Sequence, residues 1–310
     1  MGTEAALPSD SLTASGAVFD LSHRSKLRIG GSDRQRYLNG QISNDLRKAT
    51  ATSAIQACVL TAKGKIDAEV FLAADGESFL LDSDPGVGET LSARLERYII
   101  ADDVSVEDVT DVFALFHVVG AGVPPVSANE LRRASARLGE TGTDIWIARA
   151  EYSAVRQTLS QMLPIFDEAA TEILRVERGL PRWGHELTGE IIPTEANLEE
   201  RAIDYAKGCY IGQEVISRIK MSGQTNKRLC GLRVENSTAL PVGFRLVATD
   251  DRKDVGWITS SVVSPRFGTI ALGFLKRGYQ EVGSNFHAVP GASAQSGAPV
   301  PVTVVPLPFV

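Results

Sequence analysis

The chain has 310 residues, enough for more than one core. Its 43% hydrophobic and 23% charged residues are ordinary for a globular protein, and a net charge of −6 supplies no global basic field for nucleic acid or an anionic membrane. The longest apolar stretch, residues 112–123, is interrupted by His117 and two glycines and falls short of the ~20 residues that span a bilayer.

Residues 1–15 are polar and acidic, without a basic or apolar leader pattern, and read as a disordered lead-in with no secretory signal. Residues 18–29 read as a strand pair, with Leu27 and Ile29 alternating. Ser32-Asp33-Arg34-Gln35 has the form of a capping box opening a helix through Leu38, closed by Gly40. Strands follow at 55–61 and 66–73 around the turn Ala62-Lys63-Gly64-Lys65, and again at 79–81. Asp84-Pro85 starts a helix carrying Val87, Leu91, Leu95 and Tyr98 on one side.

Val104 and Val106 alternate as a strand, and 112–119 is a buried one. A helix is expected at 129–138, a strand at 144–148, then a helix at 152–163 with Val155, Leu159 and Met162 inward. A further helix at 171–178 leads into Gly179-Leu180-Pro181. Strands interleaved with helices in this order predict an α+β arrangement.

Past Lys227 the pattern changes to short strands at 229–234, 244–247, 255–263 and 270–275, separated by Gly, Pro and Asp, which predicts a small β-barrel or sandwich. The expected division is a lead-in at 1–15, an α+β region at 16–228 and a barrel domain at 229–310. Residues 306–310 read as an extended edge segment.

Three cysteines, Cys58, Cys209 and Cys230, stand far apart with no C-x-x-C pair, which argues against a disulfide framework or a metal site made by this chain alone and for a reducing, cytoplasmic compartment. Cys58 and Cys230 lie in apolar strand-like runs and read as buried and inert. Cys209 differs. Ile211, Val215 and Ile219 share a helical face, Gly223 is a stop, and Cys209 then falls at or just before a helix start, beside Lys207 and flanked by Gly208. That environment favours the reactive form of a thiol, and glycine permits close approach of a ligand. A small side chain filling a tight turn is the competing reading.

Lys207-Gly208-Cys209-Tyr210-Ile211-Gly212-Gln213-Glu214 resembles the K-G-C-[FY]-x-G-Q-E signature of the YgfZ family. These are folate-binding proteins that support iron–sulfur cluster assembly and repair, related to the glycine cleavage T-protein, an aminomethyltransferase. Residues 19–46 are similar to the opening of the same superfamily. The resemblance implies a T-protein/YgfZ-like fold of two interleaved α+β subdomains and a C-terminal barrel. It implies tetrahydrofolate or a one-carbon derivative as cofactor, and iron–sulfur enzymes or cluster-assembly proteins as partners, with effects reaching tRNA modification. No direct nucleic-acid or membrane contact is expected.

Leu174-Arg175-Val176-Glu177-Arg178-Gly179 resembles the superfamily's R-x-E-x-G segment, whose glutamate meets the pterin; this makes Glu177 the pterin anchor. A buried carboxylate suits the pterin's donor edge, and basic residues suit the glutamate tail. On residues alone, Glu177 reads as a solvated helix residue paired with Arg178 or Arg182. Arg218, Lys227 and Arg228 are candidates for the tail, and each also reads as a solvated charge. Gly208, Tyr210, Gly212, Gln213 and Glu214 join the cofactor-binding set by their place in the signature, and Cys209 and Lys207 form the reactive pair.

In aminomethyltransferases the segment matching Gly64-Lys65-Ile66-Asp67-Ala68-Glu69 resembles G-G-x-x-D-D, with an aspartate at the folate nitrogen that carries the one-carbon unit. Here Asp67, which the resemblance places in the cofactor-binding set, is followed by Ala68, and Glu69 should point to the other face of the strand. One carboxylate where two are expected argues against aminomethyl transfer. Trp183, Tyr205 and Tyr210 are candidates to stack on a pterin or to pack in the core. His23 and His185 lack a second ligand at metal spacing, and Asn44 suits a pocket or a cap equally. The expected function is a tetrahydrofolate-binding accessory protein for cluster synthesis or repair; the rivals are an aminomethyltransferase or demethylase and a folate-free scaffold.

Overall fold

The computed structural model describes residues 16–120, 122–235, 237, 239–250, 252–291 and 298–309. The lead-in at 1–15 lies outside the described residues. Two compact units emerge: the described part of Ser9–Asp167 with Leu198–Arg218, and Glu168–Asn197 with Ile219–Val310. We call them the N-terminal unit and the barrel unit.

The N-terminal unit carries two five-stranded sheets. Its elements are β1 (Ala17–Asp20), β2 (Ser25–Gly30), α1 (Arg34–Gln41), β3 (Ile55–Leu60), β4 (Ile66–Asp75), β5 (Ser78–Ser83), α2 (Gly88–Glu96), β6 (Ser105–Asp108), β7 (Phe113–Val119), β8 (Leu131–Ser135), β9 (Gly142–Ala148), α3 (Tyr152–Met162) and β10 (Ile165–Phe166). One sheet runs β10-β1-β7-β9-β8 and the other β3-β4-β5-β2-β6. All pairings are antiparallel except β1 with β10.

The strand pair expected at 18–29 is therefore two strands in different sheets: β1 pairs β7, and β2 pairs β5 and β6. The short link between them is held instead by the Lys26 ammonium, which donates to the carbonyls of Ser22 (2.9 Å) and Arg24 (2.7 Å). The helix expected at 129–138 is a strand. β8 pairs β9 in register from Leu131↔Trp146 to Ser135↔Gly142, and Arg133 and Ser135 are buried while Ala134 is exposed. The free edge of β9 overrides the helix propensity of this stretch.

Ser32 does not cap α1. Its hydroxyl binds the Asp103 carboxylate (2.8 Å), and the helix starts at Arg34 without a side-chain cap and runs past Gly40. In α2, Leu91 and Leu95 point inward as expected, whereas Tyr98 lies beyond the helix and is exposed. In α3, Val155 and Leu159 join Val18, Phe116 and Ile145 in a core, while Met162 is exposed.

The barrel unit begins with α4 (Glu168–Glu177). The Leu198–Arg218 segment of the N-terminal unit holds α5 (Glu199–Ala202) and the start of α6 (Gln213–Ser222), and the barrel unit continues with the strands β11 (Lys227–Val234), β12 (Arg245–Ala248), β13 (Asp254–Ser264), β14 (Gly268–Lys276), β15 (Asn285–Val289) and β16 (Val300–Val305). These close into a barrel in the order β11-β14-β13-β12-β15-β16, over a core that includes Leu232, Leu246, Ile258, Leu275 and Val304. Four of the strands match the expected runs; β15 and β16 are the closing pair. Closure leaves no edge to protect. After β16, the Phe309 ring lies tilted by 37° to that of Phe267, with centroids 6.2 Å apart.

Candidate functional site

In the N-terminal unit the residues from Asp204 to Val215 wrap onto two loops of the same unit. The Asp204 amide donates to the Ser43 carbonyl (3.0 Å), and its carboxylate pairs with Lys48 (2.8 Å) and accepts the amides of Ala206 (2.7 Å) and Lys207 (3.1 Å). Those bonds set the turn that sends the Lys207 side chain inward. Lys207 is only 5% exposed, and its ammonium donates to the carbonyls of Asn39 (2.6 Å), Ile42 (2.6 Å) and Asn44 (2.8 Å). It also lies over the Tyr210 ring, 5.0 Å from the centroid. Burial pulls the Lys207 pKa down to about 8, against the pull of Asp45 and Asp204 in the other direction.

An ammonium has three N–H donors, and Lys207 uses all three on the backbone. No hydrogen bond joins it to Cys209 among the described residues. The helix starts at Gln213 and not at Cys209, because the amide of Ile211 is taken by Gly40 (3.2 Å) and Gly212 adopts φ 87°. Both conditions expected to activate the thiol are thus differently arranged. Gly212 is required by packing: a Cβ there would lie 2.6 Å from the Thr61 carbonyl oxygen. Tyr210 is buried, Ile216 is the fully buried residue of α6, and Glu214 pairs with Arg218 (2.7 Å), both exposed. Gly223, at φ 65°, ends the helix as expected.

Two signature positions serve no such purpose. Cys209 and Gly208 are exposed, and a Cβ at Gly208 would meet nothing within 4 Å. Cys58 and Cys230 are buried, as expected. Burial pushes the Cys58 thiol up, as does the nearby Glu69, and burial pushes Cys230 up to about 11.

Asp67 stands at the start of β4, paired with Arg94 (Nε to Oδ2, 3.2 Å), while Ala68 is fully buried. Glu69 accepts from the Gln56 amide (2.5 Å), and burial pushes its carboxyl up. Asn44 donates to Gln56 O (2.8 Å) and is structural.

In the barrel unit, Glu177 closes α4 and is only 2% exposed. Ser264 at the end of β13 donates its hydroxyl to Glu177 Oε1 (2.5 Å), while its oxygen accepts the amides of Arg266 (3.0 Å) and Phe267 (3.1 Å). The two amides polarise the hydroxyl toward the carboxylate. The solvated alternative for Glu177 is excluded by this burial.

Its neighbour Arg175 binds Glu172 (2.6 Å), Glu186 (2.9 Å) and Ser260 (2.6 Å). Arg228 donates to Asn197 Oδ1 (2.7 Å) and is exposed, and Lys227 pairs with Glu195 (3.1 Å). His185 contacts Arg182 (2.7 Å) and the Thr259 carbonyl (3.1 Å). Among the described residues no cluster of His, Cys, Asp and Glu is arranged for a metal.

Sequence reasoning missed an ionic network inside the N-terminal unit. Arg137 binds both Asp82 (Nη1, 2.9 Å) and Asp144 (Nε, 2.8 Å), Asp82 also takes Arg24 (2.5 Å), and Asp144 takes His117 Nδ1 (2.8 Å). Burial would raise the Asp144 carboxyl, but Arg137 and His117 bring it to about 2. These residues come from five separate segments, so no linear motif could reveal them.

The N-terminal portion, residues 9–136, matches the GCVT N-terminal domain family, and residues 227–310 match the glycine cleavage T-protein C-terminal barrel domain. An aminomethyltransferase of Saccharopolyspora erythraea is 28% identical over 331 residues, covering 96% of this chain and 87% of that protein. The tRNA-modifying protein YgfZ of Shigella dysenteriae is 28% identical over 238 residues, covering 69% of this chain and 70% of that one. In fold, the chain is similar to the glycine cleavage system aminomethyltransferase T of Bartonella henselae, with a TM-score of 0.83 at 19% identity, over 96% of this chain and 86% of that one.

Proposed function

Since the chain belongs to the family of glycine cleavage T-proteins and their YgfZ relatives, we propose that it is a tetrahydrofolate-binding accessory protein for the synthesis or repair of iron–sulfur clusters. The observation that carries the reading is Glu177. A nearly wholly buried carboxylate with one hydroxyl donor among the described residues keeps acceptor capacity for the N–H edge of a pterin. Arg228, exposed and in the same unit, suits the anionic tail of the folate. Bound folate would supply a carrier for one-carbon or redox chemistry; the protein's part is to hold and orient it.

Cys209 is the group that meets clients. It is an exposed thiol beside a glycine that the unit's own packing does not require. The clients are iron–sulfur enzymes or cluster-assembly proteins in the cytoplasm, and effects on tRNA modification are transmitted through them. The net charge of −6 fits a protein that contacts neither nucleic acid nor anionic membrane directly.

Aminomethyl transfer is the competing activity, favoured by the match to the aminomethyltransferase over 96% of this chain and 87% of that protein. Ala68, fully buried where a second carboxylate is expected, counts against it. Methylene transfer from an aminomethyl donor to tetrahydrofolate in a direct assay would reinstate it.

Calorimetric titration of the reduced, anaerobic protein with tetrahydrofolate tests the proposal. Micromolar binding, about −8 kcal/mol, is expected. Glu177→Gln should weaken it about ten- to hundredfold, the equivalent of one charge-assisted contact. Absence of binding by the unaltered protein would leave the folate-free scaffold as the better reading.

A further inference from the structure

A cleft of about 290 Å³ opens in the N-terminal unit where α2 passes the start of β4, with Thr61, Asp67, Thr90, Arg94, Arg97 and Tyr98 among its walls. Arg94 is immobilised there. Its guanidinium donates to Asp67 Oδ2 (3.2 Å), Gln41 Oε1 (3.1 Å) and the Leu60 carbonyl (3.2 Å), and it lies 4.0 Å from the centre of the Tyr98 ring. These contacts hold the Asp67 carboxylate by one oxygen. The other, Oδ1, has no partner among the described residues, and the side chain is 31% exposed.

The remaining walls divide by chemistry. Arg97 is exposed, with no ion-pair partner among the described residues. The Thr61 hydroxyl accepts the Lys65 amide (3.2 Å) and so keeps its proton to donate. The Thr90 hydroxyl donates to the Val87 carbonyl (2.9 Å) and so keeps its oxygen to accept. One cleft thus offers acceptors on Asp67 and Thr90 and donors on Arg97 and Thr61.

We propose that this cleft binds a small zwitterionic amino acid, its ammonium on Asp67 and its carboxylate on Arg97. Size and chemistry both select this class. Sites for drug-sized ligands occupy roughly 300–1,000 Å³, so the cleft suits a smaller molecule than a folate or a nucleotide. The Tyr98 ring is already covered by Arg94, which leaves a nucleobase less to stack on, and a phosphate would find a single uncommitted cation. Arg94 is a positioning residue: three of its five N–H donors are spent on Asp67, Gln41 and the Leu60 carbonyl, and its charge is paired with Asp67. The inference is made from the cleft alone, and it gives Asp67 a ligand other than the folate that the family resemblance implies.

The full chain, without folate, is titrated calorimetrically with glycine, L-serine, glycinamide and acetate. Saturable binding of glycine or L-serine is expected, with glycinamide and acetate, each lacking one charge, bound about tenfold more weakly or worse. Asp67→Asn should weaken glycine and glycinamide but leave acetate unchanged. Arg97→Gln should weaken glycine and acetate but leave glycinamide unchanged, and should leave tetrahydrofolate binding unchanged. Arg97 is exposed, so its replacement decides the matter should Asp67→Asn fail to fold. No saturable binding of either amino acid, or equal binding by the unaltered protein and Arg97→Gln, overturns the proposal whatever the folate titration shows.

Discussion

Two motif segments, one in each unit, bury a charged group and use it in opposite ways. In the N-terminal unit the Lys207 ammonium is 5% exposed and donates to three backbone carbonyls, so no hydrogen-bonding capacity is left for another molecule. In the barrel unit Glu177 is 2% exposed and receives one hydroxyl among the described residues, from Ser264, although a carboxylate accommodates about four donors. Burial alone does not distinguish architecture from chemistry. The number of bonds still unmade does, because an inaccessible polar group with unmet capacity is costly unless something else supplies the partner.

Substitutions can break this comparison. The largest effect is expected from Lys207→Met, which strands three carbonyls; it should cost about 3 kcal/mol or more in urea unfolding. Stability equal to that of the unaltered chain would show that Lys207 is not structural. Its pH dependence has a definite sign. Burial favours the neutral amine, with a pKa of about 8 in the folded chain against 10.5 unfolded, so between these values the unfolded chain binds more protons. The stability of the unaltered protein relative to Lys207→Met should therefore rise from pH 8 to 10.5 and be flat below 8.

Gly212→Ala comes next, at about 2 kcal/mol, since it combines φ 87° with a Cβ pressed on the Thr61 carbonyl. Gly208→Ala, one turn of the loop away, serves as the matched control. Its Cβ meets nothing, so thermal unfolding should barely move. Cys209→Ser should be the smallest, within about 0.5 kcal/mol, because the residue is exposed. Its consequence belongs to function: cluster-enzyme activity in a deletion strain should fall. Full complementation by Cys209→Ser would remove the thiol from the proposal.

Much of the fold was legible locally. Apolar runs bounded by turn residues marked the strands expected at 55–61, 66–73 and 112–119, which form at Ile55–Leu60, Ile66–Asp75 and Phe113–Val119, and four of the barrel strands, and Asp84-Pro85 marked the entry to α2. The failures have tertiary causes. β8 was read as a helix because its residues favour one, yet the edge of β9 recruits it into a sheet. The residues 18–29 were read as a strand pair, yet a lysine-stapled link sends β1 and β2 to different sheets. Within the site, the inertness of Cys58 and Cys230 was legible from their apolar flanks. The Arg137 network was not, since Asp82, Arg137 and Asp144 carry no recognisable spacing.

By itself the sequence determined the kind of chain this is: an α+β region followed by a barrel, a signature loop ending in a helix stopped at Gly223, and a carboxylate missing at Ala68. These are local properties, set by side-chain periodicity and by glycine's tolerance of positive φ. Only the tertiary structure decided what the signature's residues do. The acceptors that engage Lys207 lie 163 to 168 positions earlier in the chain, and the serine that holds Glu177 lies 87 positions later. Hydrogen-bond capacity is exhausted or preserved by whichever partners folding brings within about 3 Å, and no spacing in the chain records that distance.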